Sequence, residues 1–222
     1  MGSDLQWPEM TARRPLPAPV ALYIETMNKQ PIERSALLVI DAQDSFKVEP
    51  RWELRSNRDF ERNVDALIVA WRAASLPVIF VMHTDSDAAF RPTSPYLRLM
   101  SFIVRREDEP LLVKTTRNAF TSTDLGTRLD LLDVTRVVVT GIQTEQCCET
   151  TARVAADLGY DVDFVTEATC SFPIINPETG EEMSTGDIIK RTEFVLRGRF
   201  ARIATVGGLV AEVEGAAVLS NS

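Results

Sequence analysis

Arg136-Val-Val-Val-Thr140-Gly141 is a short apolar run ending in glycine, and Thr144 to Leu158 follows it with helical spacing, closed by Gly159. A run with no polar alternation reads as a strand buried on both faces, the mark of a parallel sheet. Gly159 supplies the left-handed residue that ends many helices. The same unit recurs on both sides. Upstream, Ala36-Leu-Leu-Val-Ile40 ends in Asp41, and Arg58 to Ala74 carries Val64, Leu67, Ile68 and Trp71 at helical spacing. Val78-Ile-Phe-Val-Met82 leads to His83, Leu111-Leu-Val113 ends at Lys114, and Ser122 to Leu132 reads as a helix. Downstream come a strand at Val162 to Val165, a helix at Asp187 to Leu196 and a last strand at Arg202 to Val206. Strands alternating with helices predict an α/β domain with a mostly parallel sheet.

The domain spans residues 35–212, with no internal repeat or low-complexity tract. Residues 1–34 read as an extended N-terminal arm. Pro8, Pro15, Pro17, Pro19 and Pro31 interrupt regular structure there, leaving room for one short strand at Val20 to Ile24. Such an arm suits wrapping its own domain or a neighbouring subunit. Residues 213–222 form a C-terminal tail, expected to fray from Ala216.

Composition narrows the function. The chain has 222 residues, 45% hydrophobic and 25% charged, an ordinary globular make-up that folds without disulfides or metal. It carries 24 Lys+Arg against 32 Asp+Glu, a net charge of −8 with no basic block. No nucleic-acid surface and no anionic-membrane patch is therefore expected. No apolar run is long enough to span a membrane. Met1 to Met10 lacks the layout of a signal peptide, so the expected compartment is the cytoplasm. Three cysteines, at 147, 148 and 170, fit a reducing environment rather than a disulfide framework. The single histidine, His83, excludes a His-rich zinc or iron site, and no metal or other cofactor is expected. A nucleophilic enzyme would then use a carboxylate as base, with a lysine nearby.

Ligands of open parallel sheets bind beyond the carboxyl ends of the strands. Asp41, Lys114 and Cys147 stand at such ends, and the topology gathers them at one edge. Cys147 falls in the first turn of the predicted helix. Unpaired amides and the helix dipole favour a thiolate there, and a nearby lysine would lower its pKa further. Asp41 is placed to take the thiol proton and return it to a leaving amine. The competing reading is packing, because free cysteine is commonly core. Helix periodicity does not choose between Cys147 and Cys148.

Ala36-Leu-Leu-Val-Ile-Asp41-Ala-Gln43, Val113-Lys114 and Gly141-Ile-Gln-Thr-Glu-Gln-Cys147-Cys-Glu-Thr-Thr-Ala-Arg153 resemble the isochorismatase-like cysteine hydrolase superfamily. The three motifs occur in the family's order, and the likeness covers roughly residues 35–206. The resemblance implies a three-layer α-β-α sandwich with a six-stranded, mostly parallel sheet. It implies Asp41 as acid-base residue, Lys114 as the lysine and Cys147 as nucleophile. Cys148, where the family has a small aliphatic residue, falls to the core. A cis peptide is implied at Ile142–Gln143, aiming the Gln143 and Cys147 amides at one point as an oxyanion hole. The metal-dependent nicotinamidases of the family use an Asp and histidines, and this chain departs from them in having one histidine.

Several neighbours carry two readings each. Phe46 lines the pocket or fills core. Gln43 orients Asp41 or bridges backbone. His83, at a strand end, meets substrate or is a satisfied structural residue. Asn118 and Phe120 lie just past Lys114; Asn118 is a substrate-binding candidate and Phe120 a packing residue. Arg153 reads as a structural ion pair, Cys170 as non-catalytic, and Glu107-Asp108-Glu109 as solvated surface.

The implied function is cysteine-dependent hydrolysis of a C–N bond in a small carboxamide, ureide or carbamoyl compound through a thioester. Enol-ether hydrolysis of the isochorismatase type, which needs no cysteine, is the first alternative. A non-catalytic oligomeric small-molecule-binding protein is the second. The expected partners are a small-molecule substrate and further copies of the chain, as a dimer or tetramer. Substrate selection is expected in 44–57, 84–110 and 171–186.

Overall fold

In a computed structural model that describes residues 30–48 and 50–220, the apolar runs are strands. β1 (Ser35–Ile40), β2 (Val78–His83) and β4 (Arg136–Ile142) are buried along their whole length, as strands covered on both faces must be. β3 (Leu111–Lys114) is an edge strand, with Leu111 and Val113 exposed and Leu112 and Lys114 buried. β5 (Asp161–Cys170) and β8 (Arg202–Ile203) complete a six-stranded sheet of order β3-β2-β1-β4-β5-β8, parallel throughout.

Helices cover both faces. α1 (Phe60–Ala73) and α5 (Val206–Ser220) pack on one, where Phe60, Leu67, Trp71, Leu209 and Val213 meet Leu37, Val39, Phe80 and Val138. α2 (Leu125–Leu131), α3 (Glu149–Asp157) and α4 (Thr185–Leu196) cover the other, against Leu38, Ile40, Ile79, Val81 and Val139. Each fully buried Leu, Ile or Phe contributes roughly 1.5–3 kcal/mol relative to exposure.

The strand order reverses between β1 and β4. The chain begins at β1, moves outward through β2 and β3, then returns to β4 on the other side. A crevice forms at the carboxyl ends where two neighbouring strands send their connections in opposite directions. Gly141 keeps the two strands close there. Its φ is +126°, and a Cβ would lie 1.8 Å from the Ile40 carbonyl oxygen. Asp41, the first residue beyond β1, has φ +52°, a left-handed conformation that Asp tolerates better than most residues.

Three expectations change. The helix from Thr144 to Leu158 is split into a wide π-type turn, Thr144–Cys148, and α3. The fifth strand is longer than its apolar run. Pairing with β4 breaks after Val139–Phe164 and resumes at Gly141–Thr169 and Ile142–Cys170. The C-terminal segment is helical past Ala216, because α5 continues to Ser220. Leu209 and Val213 anchor it, and Glu212 pairs with the fully buried Arg136 at 2.7 Å. Loop 171–186 holds a short hairpin, β6 (Ile174–Ile175) with β7 (Glu182–Met183). Most of the N-terminal arm, including Val20 to Ile24, lies outside the described residues. Its visible end is tied down by Gln30 N, which donates to Asp161 Oδ2 at 2.7 Å, and by the Arg34–Asp133 pair at 2.5 Å. Among the described residues, no helix is long and apolar enough to cross a membrane.

Candidate active site

Three strand ends deliver three chemically able side chains to one point. Asp41 follows β1, Lys114 ends β3, and Cys147 sits in the turn after β4. Lys114 Nζ lies 2.9 Å from Asp41 Oδ2 and 3.2 Å from Cys147 Sγ. β3 is two strand spacings from β1, about 10 Å, so a long flexible side chain is what can reach from one end to the other. Asp41 and Lys114 are fully buried, and Cys147 is 4% exposed.

Burial sets the electrostatics. It pushes the Asp41 carboxyl above its ordinary value, against the opposing pull of Lys114 and the Cys147 thiol. Cys147 goes up too, from an ordinary 9.0 to about 12, by burial first and then by the charge of Asp41, with Lys114 opposing both. Helix-terminus chemistry predicts a lowered thiol pKa, and the buried setting pushes it the other way. The sulfur lies in a buried turn beside a carboxylate, and those two effects outweigh one lysine. A carboxyl raised by burial is also a stronger base, better matched to a thiol proton.

The raised thiol has a stability consequence. Folded Cys147 holds its proton more tightly than unfolded Cys147. The stability this contributes is complete below about pH 9 and is lost as pH climbs toward 12. Thermal melts of Cys147→Ala are expected to fall less steeply than wild type across that window. Parallel slopes would show that Cys147 does not titrate there.

Backbone and hydroxyl contacts frame the sulfur. The Ile142–Gln143 peptide is cis. The Gln143 carbonyl accepts from Gln146 N at 3.2 Å and Cys148 N at 3.1 Å, closing the turn. Thr144 Oγ1 donates to Thr169 Oγ1 at 2.9 Å. Thr151 Oγ1 donates to the Cys147 carbonyl at 2.6 Å and accepts from Ala119 N at 3.1 Å, joining the nucleophile turn to the loop beyond Lys114. Thr151→Val is expected to cost about 1–3 kcal/mol, because it strands the buried Ala119 amide. The denaturant midpoint reads this directly, and an unchanged midpoint would remove the strut.

The sequence's substrate-binding candidates divide. Phe46 is buried in an aromatic group, edge-on to Phe90 at 5.0 Å and stacked with Phe172 at 6.1 Å. Gln43 bridges backbone. Its Oε1 accepts from His83 N at 2.8 Å, while its Nε2 donates to His83 O and to Ser45 Oγ, each at 3.0 Å. Asn118 is turned to its own loop: Oδ1 accepts from Phe120 N and Thr121 N, and Nδ2 donates to Thr121 Oγ1. Its polar atoms cap a turn rather than reach the catalytic trio. His83 ends β2 in register with Lys114, 4% exposed, with Nε2 near both Asp85 and Arg117.

Elsewhere Cys148 and Cys170 are fully buried, and Phe120 stacks on Tyr160. Arg153 pairs with Glu149 at 2.9 Å and lies over the Phe200 ring. Glu109 departs from its expected solvated role. It is 8% exposed, paired with Arg72 at 2.7 Å and accepting from Arg106 N, because its loop folds back against α1. Thr144 and Thr151 stand in the Gly141–Arg153 motif without an assigned task, and nothing in the spacing of Arg117 separates it from surface polar residues.

Among the described residues, no group of three or more His, Cys, Asp or Glu is arranged to hold a metal ion. A groove of about 470 Å³ lined by Arg72, Leu76, Pro110 and Leu131 lies at the opposite edge, where β2 and β3 begin. It contains none of the catalytic candidates.

The isochorismatase domain family profile matches residues 35–196. The isochorismatase family protein YrdC of Bacillus subtilis is 30% identical over 142 residues, 63% of this chain and 75% of that one. Nicotinamidase 3 of Arabidopsis thaliana is 33% identical over 165 residues, covering 67% of this chain and 79% of that one. A solved chain from Chromobacterium violaceum, assigned to the isochorismatase family, matches with a TM-score of 0.77 at 26% identity. That match covers 82% of this chain and 95% of that chain.

Proposed function

Because the chain belongs to the isochorismatase family of hydrolases, we propose that it cleaves a C–N bond of a small carboxamide, ureide or carbamoyl compound through a thioester on Cys147. One observation carries the reading: Lys114 Nζ touches both the Asp41 carboxylate, at 2.9 Å, and the Cys147 sulfur, at 3.2 Å. A base, a cation and a nucleophile converge there, out of water. The match to a plant nicotinamidase places an amide-hydrolysing enzyme among the relatives.

Each residue has a task. Asp41 takes the thiol proton as sulfur attacks the carbonyl carbon. Lys114 balances the negative charge that passes between carboxylate and sulfur. The backbone amides of Gln143 and Cys147 hold the oxyanion, a contribution of about 10²–10³-fold per donor in comparable sites. Asp41 then protonates the departing amine, the C–N bond breaks, and a C–S bond remains. Asp41 next draws a proton from water, hydroxide adds to the thioester, and the thiol is regenerated as the acid leaves.

The test is ammonia release from nicotinamide, maleamate, carbamoylated amino acids, biuret and ureidoacrylate, with acid-quenched samples weighed for an acyl adduct on Cys147. Release together with the adduct is the expected result. Ammonia release with no adduct, retained when the sulfur is removed, would overturn the thioester and point to direct attack of water on the same C–N bond. No release from any of the amides would overturn the C–N reading and favour enol-ether hydrolysis.

A further inference from the structure

We infer that Arg117, seated on His83, selects an anionic substrate: the compound hydrolysed carries a carboxylate a few bonds from the scissile carbonyl, and Arg117 receives it. The inference rests on the amide-hydrolase reading and names its substrate class.

Arg117 follows Lys114 by three residues, on the loop that leaves the carboxyl end of β3. Its side chain is exposed, yet Nη1 lies 2.8 Å from the buried Nε2 of His83. His83 stands beside Lys114 in the β2–β3 register. Neighbouring strands are about 4.8 Å apart, so the guanidinium lies one imidazole ring beyond a residue adjacent to the catalytic lysine. That puts Arg117 at the same sheet edge as the catalytic trio.

Arg117 makes no ion pair among the described residues, although the Asp85 carboxylate shares its contact with His83 Nε2. Lys47, Arg58 and Arg98, on the other loops of this edge, pair with Glu61, Glu53 and Asp44. The group Arg117 touches is a ring. Burial, then the charge of Lys114, pushes His83 below its ordinary value, so the ring is neutral near pH 7. Arginine can only donate, so Nε2 accepts and the ring proton sits on Nδ1. Asp85 Oδ2 is 3.1 Å from the same Nε2. That nitrogen cannot donate to Asp85 while accepting from Arg117.

The guanidinium is then open to an acceptor. Four of the five guanidinium N–H groups remain beyond the contact with His83, in the planar fork that fits a carboxylate. Nδ1 of His83 is buried with no hydrogen-bond partner among the described residues, a condition that native structures seldom leave without a ligand or water. Gln43 fixes the support, because both of its amide atoms bond the His83 backbone.

N-(bromoacetyl)glycine and N-(bromoacetyl)glycinamide test this. They have nearly the same size and differ by one negative charge. Each alkylates a thiol: a C–S bond forms, bromide leaves, and the thiol proton passes to Asp41. The rate at Cys147 is followed by mass spectrometry for the full chain, wild type, Arg117→Ala and Arg117→Lys. The anionic-to-neutral rate ratio is expected to fall roughly tenfold or more in Arg117→Ala, the size of a hydrogen bond to a charged group, and to be kept in part in Arg117→Lys, which retains the charge but not the fork. A change in folding or in thiol ionisation moves both rates together and leaves the ratio alone. An equal ratio in wild type and Arg117→Ala overturns the anion-selecting role and leaves the hydrolase reading standing. If Cys147 resists both reagents in the native wild type and reacts once denatured, the nucleophile reading fails and this inference fails with it.

Discussion

Cys147→Ala is expected to lower amide turnover by roughly 10⁴–10⁶-fold, with the fold kept. The magnitude follows from the mechanism. Without sulfur there is no covalent step, and only the part of the acceleration supplied by the oxyanion amides and by binding remains. The fold survives because Cys147 is a small side chain at the end of a core that is otherwise unchanged. Cys147→Ser should be nearly as slow, since a hydroxyl is harder to ionise than a thiol and Asp41 would have to remove its proton in the same buried setting. Side-by-side ammonia release, with circular dichroism as the control, decides the matter. Turnover of Cys147→Ala within tenfold of wild type would sink the cysteine mechanism.

Lys114→Met carries the largest expected loss of stability, about 3–5 kcal/mol. Asp41 and Lys114 are both fully buried and 2.9 Å apart, so removing the cation strands a carboxylate in the core. The double variant Asp41→Asn/Lys114→Met should recover most of that loss, because no buried charge remains, and both variants should be inactive. The pH dependence has a definite sign. Burial already raises Asp41, and Lys114 is the strongest opposing influence. Without the lysine, folded Asp41 titrates higher still. A carboxyl with a raised folded pKa gives stability that is full below its unfolded pKa and lost as pH rises through the folded one. Lys114→Met should therefore be less destabilised at pH 5 than at pH 8. Denaturant titrations at the two pH values measure this, and equal losses would show that Asp41 is not the stranded group.

These expectations lean on a site whose parts were readable at different levels. Asp41, Lys114 and Cys147 were visible because each closes or follows an apolar run, and a parallel sheet puts such ends at one edge. His83 was visible for the same reason. Its partnership with Arg117 was not, because it joins residues 34 positions apart through a loop of no regular spacing. Helix-terminus chemistry suggested a thiolate at Cys147. The fold buries that sulfur beside Asp41 and pushes its pKa the other way. Glu109 looked like surface because its neighbours are charged, and became a buried partner of Arg72 once α1 packed beside it. α5 escaped notice because Gly207, Gly208 and Gly215 interrupt it and its polar residues are few.

By itself the sequence determined a doubly covered parallel sheet, the order of its strands along the chain and the three residues able to do chemistry. These follow from local rules: continuous apolar runs, helical spacing and the residue at each run's end. The tertiary structure decided the rest. It set the reversal of strand order between β1 and β4, the Gly141 approach that lets the two ends meet, and the long reach of Lys114 across β2. It also decided which charges are paired and which protons are held. Burial and pairing depend on groups far apart in the chain, and no local pattern records how far a side chain ends up from water.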